Sequence, residues 1–301
     1  MTRTPLISVL TPSLNCGTYI RQCIESVLTQ DYPRFEHIVV DGCSKDDTLD
    51  VLRQYRHVRW ISEPDHGEGE ALIKALRMAK GDVLVWLNAD DFLLPGAFRA
   101  VAAAIAPDQG RHVVYGKANQ IDAAGNILVE MPPPLRSLRL TLPRLLQWFR
   151  PYDLYQCSLF FTRAVLEDAG PFRDDYFYSI DFDFWLRIAM RGYTFHYVDR
   201  VLAHARMERP DAKSRLGFER QERFWFRVSL SHLHRLSVWR KAEFWAFYSV
   251  YWLRCGLARR WPVPVRLVRP VLRCLERALG GPQVSSGARD PGVPVGGDPT
   301  P

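Results

Sequence analysis

The chain has 301 residues, 47% of them hydrophobic, enough for one large α/β domain with an appendage or for two modest domains. Six scattered cysteines without a CxxC pair lack zinc spacing and require no disulfide framework, so reduced thiols in a cytoplasm are the expectation. The formal charge of +7 is uneven, with net −3 over residues 1–200 and net +10 over residues 201–301, which points to an anionic surface partner for the C-terminal part.

The N-terminal MTRTPLISVLTPS has too short an apolar run for a signal peptide. No segment reaches the ~18 uninterrupted apolar residues of a membrane span, so secretion and integral insertion are both disfavoured. Leu6–Leu10 reads as a strand followed by the turn-like Thr11–Asn15. Ile20, Ile24, Val27 and Leu28 then recur at helical spacing. Phe35–Val40 is a second strand, followed by a helix over Asp47–Tyr55 and a third strand at Val58–Ser62. A helix through Ala71–Ala79 stops at Gly81, and Val83–Leu87 is a fourth strand. This alternation predicts a mostly parallel central sheet flanked by helices, with ligands bound in the crevice at the C-terminal strand ends. The crevice is therefore expected around Pro12–Asn15, Asp41–Asp47 and Asn88–Asp91.

Beyond Pro107, Val113–Tyr115, Asn119–Ile121 and Ile127–Glu130 read as short strands, and Tyr155–Phe161 as another. Leu135–Phe149 is apolar and basic without a clear pattern. A helix from Asp181 to Gly192 has Phe182, Trp185, Ile188 and Ala189 on one face. Residues 215–279 read as a helical appendage rich in Trp, Phe, Tyr and Arg, and residues 280–301 as a disordered tail.

Asn88-Ala89-Asp90-Asp91 carries the strongest chemical signal. In an extended strand end Asn88 and Asp90 face one side and Asp91 the other. A carboxylate at Asp90 suits a hard divalent cation that also binds substrate phosphates. The structural alternative is a polar turn before the helix that follows Pro95. Asp41 ends another strand, placed to accept hydrogen bonds from a base or ribose, with helix capping as its alternative.

The segments ISVLTPSLN, VVDGCSKDDT, SEPDHGEGEALIKAL, AKGDVLVWLNADD, VVYGKANQID and FYSIDFDFWLRIAMRG occur in this order. Together they resemble family 2 glycosyltransferases of the bacterial branch that builds cell-surface polysaccharides. The resemblance spans Ile7 to Ser214 and implies a GT-A (nucleotide-diphospho-sugar transferase) fold over residues 1–214. It implies that Pro12, Asn15 and Asp41 line the pocket for base and ribose, with Asp65 and Lys74 near the donor. Asn88-Ala89-Asp90 would be the DxD-type motif, with Asp90 on Mg²⁺ or Mn²⁺ and Asn88 near the ribose. Asp181 matches the general base of inverting members. Positions i and i+2 do not share a helix face, so only one of Asp181 and Asp183 should reach the cleft.

The sequence departs from the family pattern at several places. Asn88 stands for the first Asp of a strict DxD, and Ile73 and Ala75 replace an Asn and a Gly. Glu208 occupies the slot of a family His in Leu202–Glu208, while His204 reads as a surface histidine. The implied activity is transfer of a sugar from a nucleotide-diphosphate donor to a hydroxyl of a glycan or lipid-linked acceptor. The C-terminal aromatics and arginines suit peripheral contact with an anionic membrane at the inner face of the cytoplasmic membrane, or plain packing, and no nucleic acid is expected. Two rivals are a nucleotidyltransferase, which would carry a Gly-rich basic loop after the first strand, and a non-catalytic sugar-nucleotide-binding partner in a glycan-assembly complex.

Overall fold

Seven consecutive buried residues make up β1 (Ile7–Ser13), the mark of a strand covered on both faces. β2 (Phe35–Asp41) pairs with it in parallel on one side and β4 (Val83–Trp86) on the other, with β3 (Val58–Ser62) beyond β2. The structure is a computed structural model that describes residues 4–105, 112–130, 145, 154–173, 179–207, 218–246 and 248–249. Helices α1 (Gly17–Leu28), α2 (Thr48–Leu52) and α3 (Glu68–Met78) join these strands. α1 buries Ile20, Cys23, Ile24 and Val27, the three- and four-residue stripe that an amphipathic helix presents to a sheet.

The second half adds β5 (Phe92–Leu93), α4 (Ala97–Ala104), β6 (Val113–Ile121), β7 (Ile127–Val129), β8 (Leu159–Thr162) and α5 (Arg163–Ala169). After these come α6 (Ile180–Met190), β9 (Phe195–Arg206) and α7 (Phe218–Leu233). The nine strands form one sheet in the order β3-β2-β1-β4-β8-β6-β9-β5, with β7 on β6. Parallel pairing also joins β6 and β9, while β8, β5 and β7 pair antiparallel.

Several elements differ from their expected form. Val113–Tyr115 and Asn119–Ile121 belong to one strand, β6, broken only by register shifts after Tyr115. At Gly116 a Cβ would sit 2.5 Å from Leu202 Cγ and 2.7 Å from the Arg200 carbonyl oxygen, so β9 approaches closely only because glycine is there. The expected strand from Tyr155 begins as a 3-10 turn, Gln156–Ser158, before β8. α6 is buried on more than one face, with Ile180, Phe182, Asp183, Phe184, Trp185, Leu186 and Ile188 all inside, whereas Ala189 is only partly covered. Phe184 meets Phe161 and Phe172 at ring distances of 4.9 and 4.8 Å, and α7 covers another side.

The chain divides into two compact units, Met1–Phe247 and Tyr248–Pro301, and α7 belongs to the first. Residues 280–301, most of 248–279, and Leu135–Phe149 apart from the buried Leu145 lie outside the described residues. No helix among the described residues is long and apolar enough to cross a membrane.

Candidate active site

Parallel pairing brings the C-terminal ends of β1, β2 and β3 level, so that Ser13, Asp41 and Ser62 form one row across the sheet. Asp41 is fully buried. Its carboxylate accepts the Ser44 amide at 2.9 Å, the Ser62 hydroxyl at 2.7 Å and the Ser44 hydroxyl. Three donors on one carboxylate fix the loop that supplies them. Asp41 therefore shapes the loop after β2.

That loop is tied to the one after β1. Asn15, with a left-handed φ of 50°, donates its amide to Ser44 Oγ at 2.7 Å and accepts the Lys45 amide at 2.8 Å. The Cys16 amide reaches Thr48 Oγ1 at 2.9 Å, and the Gly17 amide reaches Asp46 Oδ2 at 2.8 Å. Desolvation works against the Asp46 charge, but hydrogen bonds from Thr48 and Gly17 win and hold its pKa below the ordinary value. Helix α2 thus has no side-chain cap at Asp47, and Asp46 bridges the two loops instead.

Asp65 stands against the same loop, since a Cβ on Gly42 would lie 2.8 Å from Asp65 Oδ2. Its other oxygen accepts the Gly67 amide at 2.8 Å. Lys74 donates to the Pro64 carbonyl at 2.7 Å and pairs with Glu63 at 3.0 Å and Glu70 at 3.1 Å. Partial desolvation opposes its charge, and the two glutamates more than offset this and raise its pKa.

After β4, Asn88 to Asp91 form a turn closed by the Asp91 amide on the Asn88 carbonyl at 3.0 Å. Asn88 Oδ1 accepts the Trp86 indole N–H at 2.6 Å. A turn stands where strand alternation was expected, and the two aspartates in it differ in exposure. Asp90 is partly exposed. Asp91 is 3% exposed and accepts the Arg206 amide at 2.8 Å and the Gln156 amide at 3.3 Å. Burial and the adjacent Asp90 charge push the Asp91 pKa well above the carboxylate range.

Asp181 lies in the first turn of α6 and accepts the Phe182 amide at 2.7 Å. Desolvation raises its pKa to about 7; the Phe182 hydrogen bond opposes the rise and the charge of Glu68 adds to it. Glu68, the first residue of α3, also raises Asp91. One side chain therefore links the turn after β4 to the start of α6 electrostatically. Asp183 faces elsewhere: fully buried, it pairs with Arg187 at 2.8 Å and His232 of α7 at 3.3 Å. Arg187 in turn donates to the Ala169 and Gly170 carbonyls at 2.7 and 2.8 Å. Of the two aspartates, Asp183 is the one spent on packing α7 against α6.

Arg206, at the end of β9, ties the turn that carries Asp90 to the rest of the sheet. It is 6% exposed, and its guanidinium donates to the carbonyls of Asp90 at 3.1 Å, Asp122 at 2.6 Å and Ala123 at 2.7 Å and to the Gln22 side chain at 2.8 Å. It lies 4.7 Å from the Tyr19 ring centroid. Its signal in the sequence was its place in the Leu202–Glu208 segment. His204 is partly buried: burial lowers its pKa, and its ring packs on Phe92 at 5.0 Å. Glu208 lies outside the described residues.

Among the described residues, no three His, Cys, Asp or Glu side chains gather into a group able to hold a metal alone. Asp90 offers a carboxylate in a field negative enough to lift its neighbour's pKa. Its oxygens fit a hard cation such as Mg²⁺ or Mn²⁺ that completes its shell with water and phosphate oxygens.

Residues 8–167, more than half of the chain, match the family model described as Glycosyl transferase family 2. The chain belongs to this family. It is 28% identical over 242 residues to chondroitin synthase of Escherichia coli, covering 78% of this chain and 34% of that protein. It is 43% identical over 93 residues to the putative teichuronic acid biosynthesis glycosyltransferase TuaG of Bacillus subtilis, covering 29% of this chain and 36% of that protein. The chain thus spans about a third of the length of these family 2 relatives. Among solved structures, S. aureus TarS in complex with UDP-GlcNAc superposes with a TM-score of 0.64 at 19% identity, over 85% of this chain and 76% of that one. A mannosyltransferase of Pyrobaculum calidifontis in complex with GDP-Man and Mn²⁺ superposes at 0.55 with 20% identity, over 92% and 81%. The fold is the GT-A fold expected from the motifs, with its mostly parallel sheet flanked by helices.

Proposed function

We propose that this family 2 protein is an inverting glycosyltransferase that moves a sugar from a nucleotide-diphosphate donor to a hydroxyl of a glycan or lipid-linked acceptor. The observation that carries this reading is Asp181, a carboxylate with a pKa of about 7 on a packed helix, sharing the field of Glu68 with the Asp90–Asp91 turn. A general base works best when its pKa lies near the operating pH, and a positioned one supplies ~10²–10⁴-fold in rate.

The crossed loops after β1 and β2 frame the donor nucleotide. Pro12, Asn15 and Asp41 line its pocket, Asp41 also holding the loop through Ser44 and Ser62, with Asp65 near the donor and Asn88 near the ribose. Lys74 contributes by keeping Glu63 and Glu70 in place along the donor side. Asp90 holds the divalent cation, which when bound neutralises the charge of the departing diphosphate. Asp181 accepts the acceptor hydroxyl proton as the oxygen attacks the anomeric carbon from the face opposite the leaving group, and the configuration inverts. The relatives support nucleotide-sugar use: TarS was captured with UDP-GlcNAc, the mannosyltransferase with GDP-Man and Mn²⁺, and chondroitin synthase is named for building a polysaccharide. The same reading puts the protein in the cytoplasm, on the inner face of the membrane, with residues 215–279 as the contact.

Transfer and donor hydrolysis, measured on wild type and Asp181→Asn, test the assignment. The variant should bind donor normally and lose at least ~10²-fold in transfer. Near-normal transfer would move the base elsewhere, and a wild type that binds but never cleaves donor would make the chain a non-catalytic partner.

A further inference from the structure

α7 ends at Leu233, and a tight turn over residues 234–237 leads into a second helix over residues 238–246. Ser237 Oγ accepts the Arg240 amide at 3.4 Å and the Ser237 carbonyl accepts the Lys241 amide at 3.0 Å, so Ser237 caps this helix. The first two residues after the cap are Val238, 77% exposed, and Trp239, 85% exposed. Folding normally removes such a tryptophan from water, and here it is placed at the apex of a helical hairpin. Leu230 and Trp245, both more than two-fifths exposed, extend the apolar surface down the two helices.

The hairpin's other face is buried. Val228, Leu233 and Phe244 lie in the core, and His232 binds the fully buried Asp183. The apex is therefore held by the same contact that packs α6, the helix of Asp181. Around the apolar apex stand exposed Arg235 and Arg240, with Arg227 one to two turns back on the α7 face that carries Leu230. Arg240 is paired with Glu243 at 2.6 Å. The two helices of the hairpin, residues 218–246, carry six Lys or Arg against three Glu, a net of +3.

We infer that Val238 and Trp239 are a wedge that enters the headgroup layer of an anionic lipid bilayer while the surrounding cations meet lipid phosphates. Indole rings settle at the depth where an apolar body and a polar N–H are both satisfied. Basic residues beside them are attracted to anionic headgroups within about a Debye length of the surface. A protein partner would be expected to match an apolar patch without the cationic ring. This inference deepens the membrane contact proposed above and rests on it, replacing a 65-residue region by a two-residue apex.

The test is flotation of the full chain with phosphatidylcholine vesicles, with and without phosphatidylglycerol, for wild type, Trp239→Glu and Arg235→Glu. Wild type should float only with anionic vesicles and be released by salt. Trp239→Glu should bind at least ~10-fold more weakly, and Arg235→Glu at least ~5-fold more weakly, since it removes one cation and adds an anion near the surface. Because Trp239 is almost wholly exposed, donor hydrolysis by the variant should be unchanged, which reports on its folding. If wild type floats and Trp239→Glu floats equally well, the wedge is wrong while the membrane contact stands. If wild type floats with neither vesicle, both fail. If Trp239→Glu instead dissociates a dimer seen by light scattering without altering flotation, the apex is a protein interface and the wedge is overturned.

Discussion

The two sides of the crevice treat their carboxylates in opposite ways. On the side of β1, β2 and β3, these acids are answered from within: Asp41 by Ser44 and Ser62, Asp46 by Thr48 and Gly17, and Glu63 and Glu70 by Lys74. On the side of β4 and α6, Asp91 and Asp181 are pushed up by burial and then by other carboxylates, Asp90 and Glu68. The first side is a finished scaffold. The second holds negative potential that a cation or a proton relieves, and such unresolved potential is a hallmark of groups that act on ligands.

The largest effect expected from breaking this contrast is at Asp181. Removing its carboxylate as Asn should cost at least ~10²-fold in transfer. In wild type the base works only when ionised, so transfer should fall as pH drops through about 7. Stability should move the other way. A carboxyl whose folded pKa is raised binds more protons folded than unfolded between about 4 and 7, so its contribution declines as pH rises across that window. Asp181→Asn should therefore melt higher than wild type at pH 8, and the gain should vanish toward pH 4. Equal melting curves at both pH values would mean the carboxyl is not desolvated as described.

Next comes Asp90. Asp90→Ala should weaken donor binding at least ~10-fold in the presence of Mn²⁺ and make the residual binding insensitive to EDTA. It should also let the Asp91 pKa fall, since the Asp90 charge is one of the causes holding it up. Calorimetric titration of donor with and without metal checks the first expectation; unchanged, EDTA-sensitive affinity would take the metal away from Asp90.

How much of this was legible in the sequence follows the same division. The parallel strands β1 to β4 were legible because each is a short apolar run ending in a polar turn, and Val58–Ser62 coincides with its observed bounds. β9 was missed because Asp199 and Arg200 interrupt its apolar residues, and it is set by pairing with β6, which local spacing does not encode. α5, at seven residues, is too short to show a period. The site residues at strand ends were visible as acids in turns. Their partners were not: Arg206 reaches Asp90 across 116 positions, and Glu68 acts on Asp181 and Asp91 through space.

On the scaffold side the expected effect is on stability. Asp41→Ala would leave the Ser44 amide and the Ser44 and Ser62 hydroxyls buried without their acceptor, at a cost of about 2–4 kcal/mol. Urea unfolding reads this as a lower midpoint with an unchanged slope. A loss no larger than that of an exposed site such as Asp31→Ala would show that the loop is held by other contacts.

The smallest effect should come from His232, which touches the chemistry only through Asp183. His232→Ala removes one of two partners of a fully buried carboxylate, and Arg187 at 2.8 Å remains to balance the charge, so the cost should be about 1–2 kcal/mol. Asp183→Ala should cost more, about 3–5 kcal/mol, because it strands the Arg187 guanidinium beside the Ala169 and Gly170 carbonyls. Neither change touches the Asp181 carboxylate, so the pH limb of transfer near 7 should stay in place even where the rate drops. A shifted limb in His232→Ala would mean that α7 sets the electrostatics of the base as well as its position, and the line drawn here between packing and reacting aspartates would have to move.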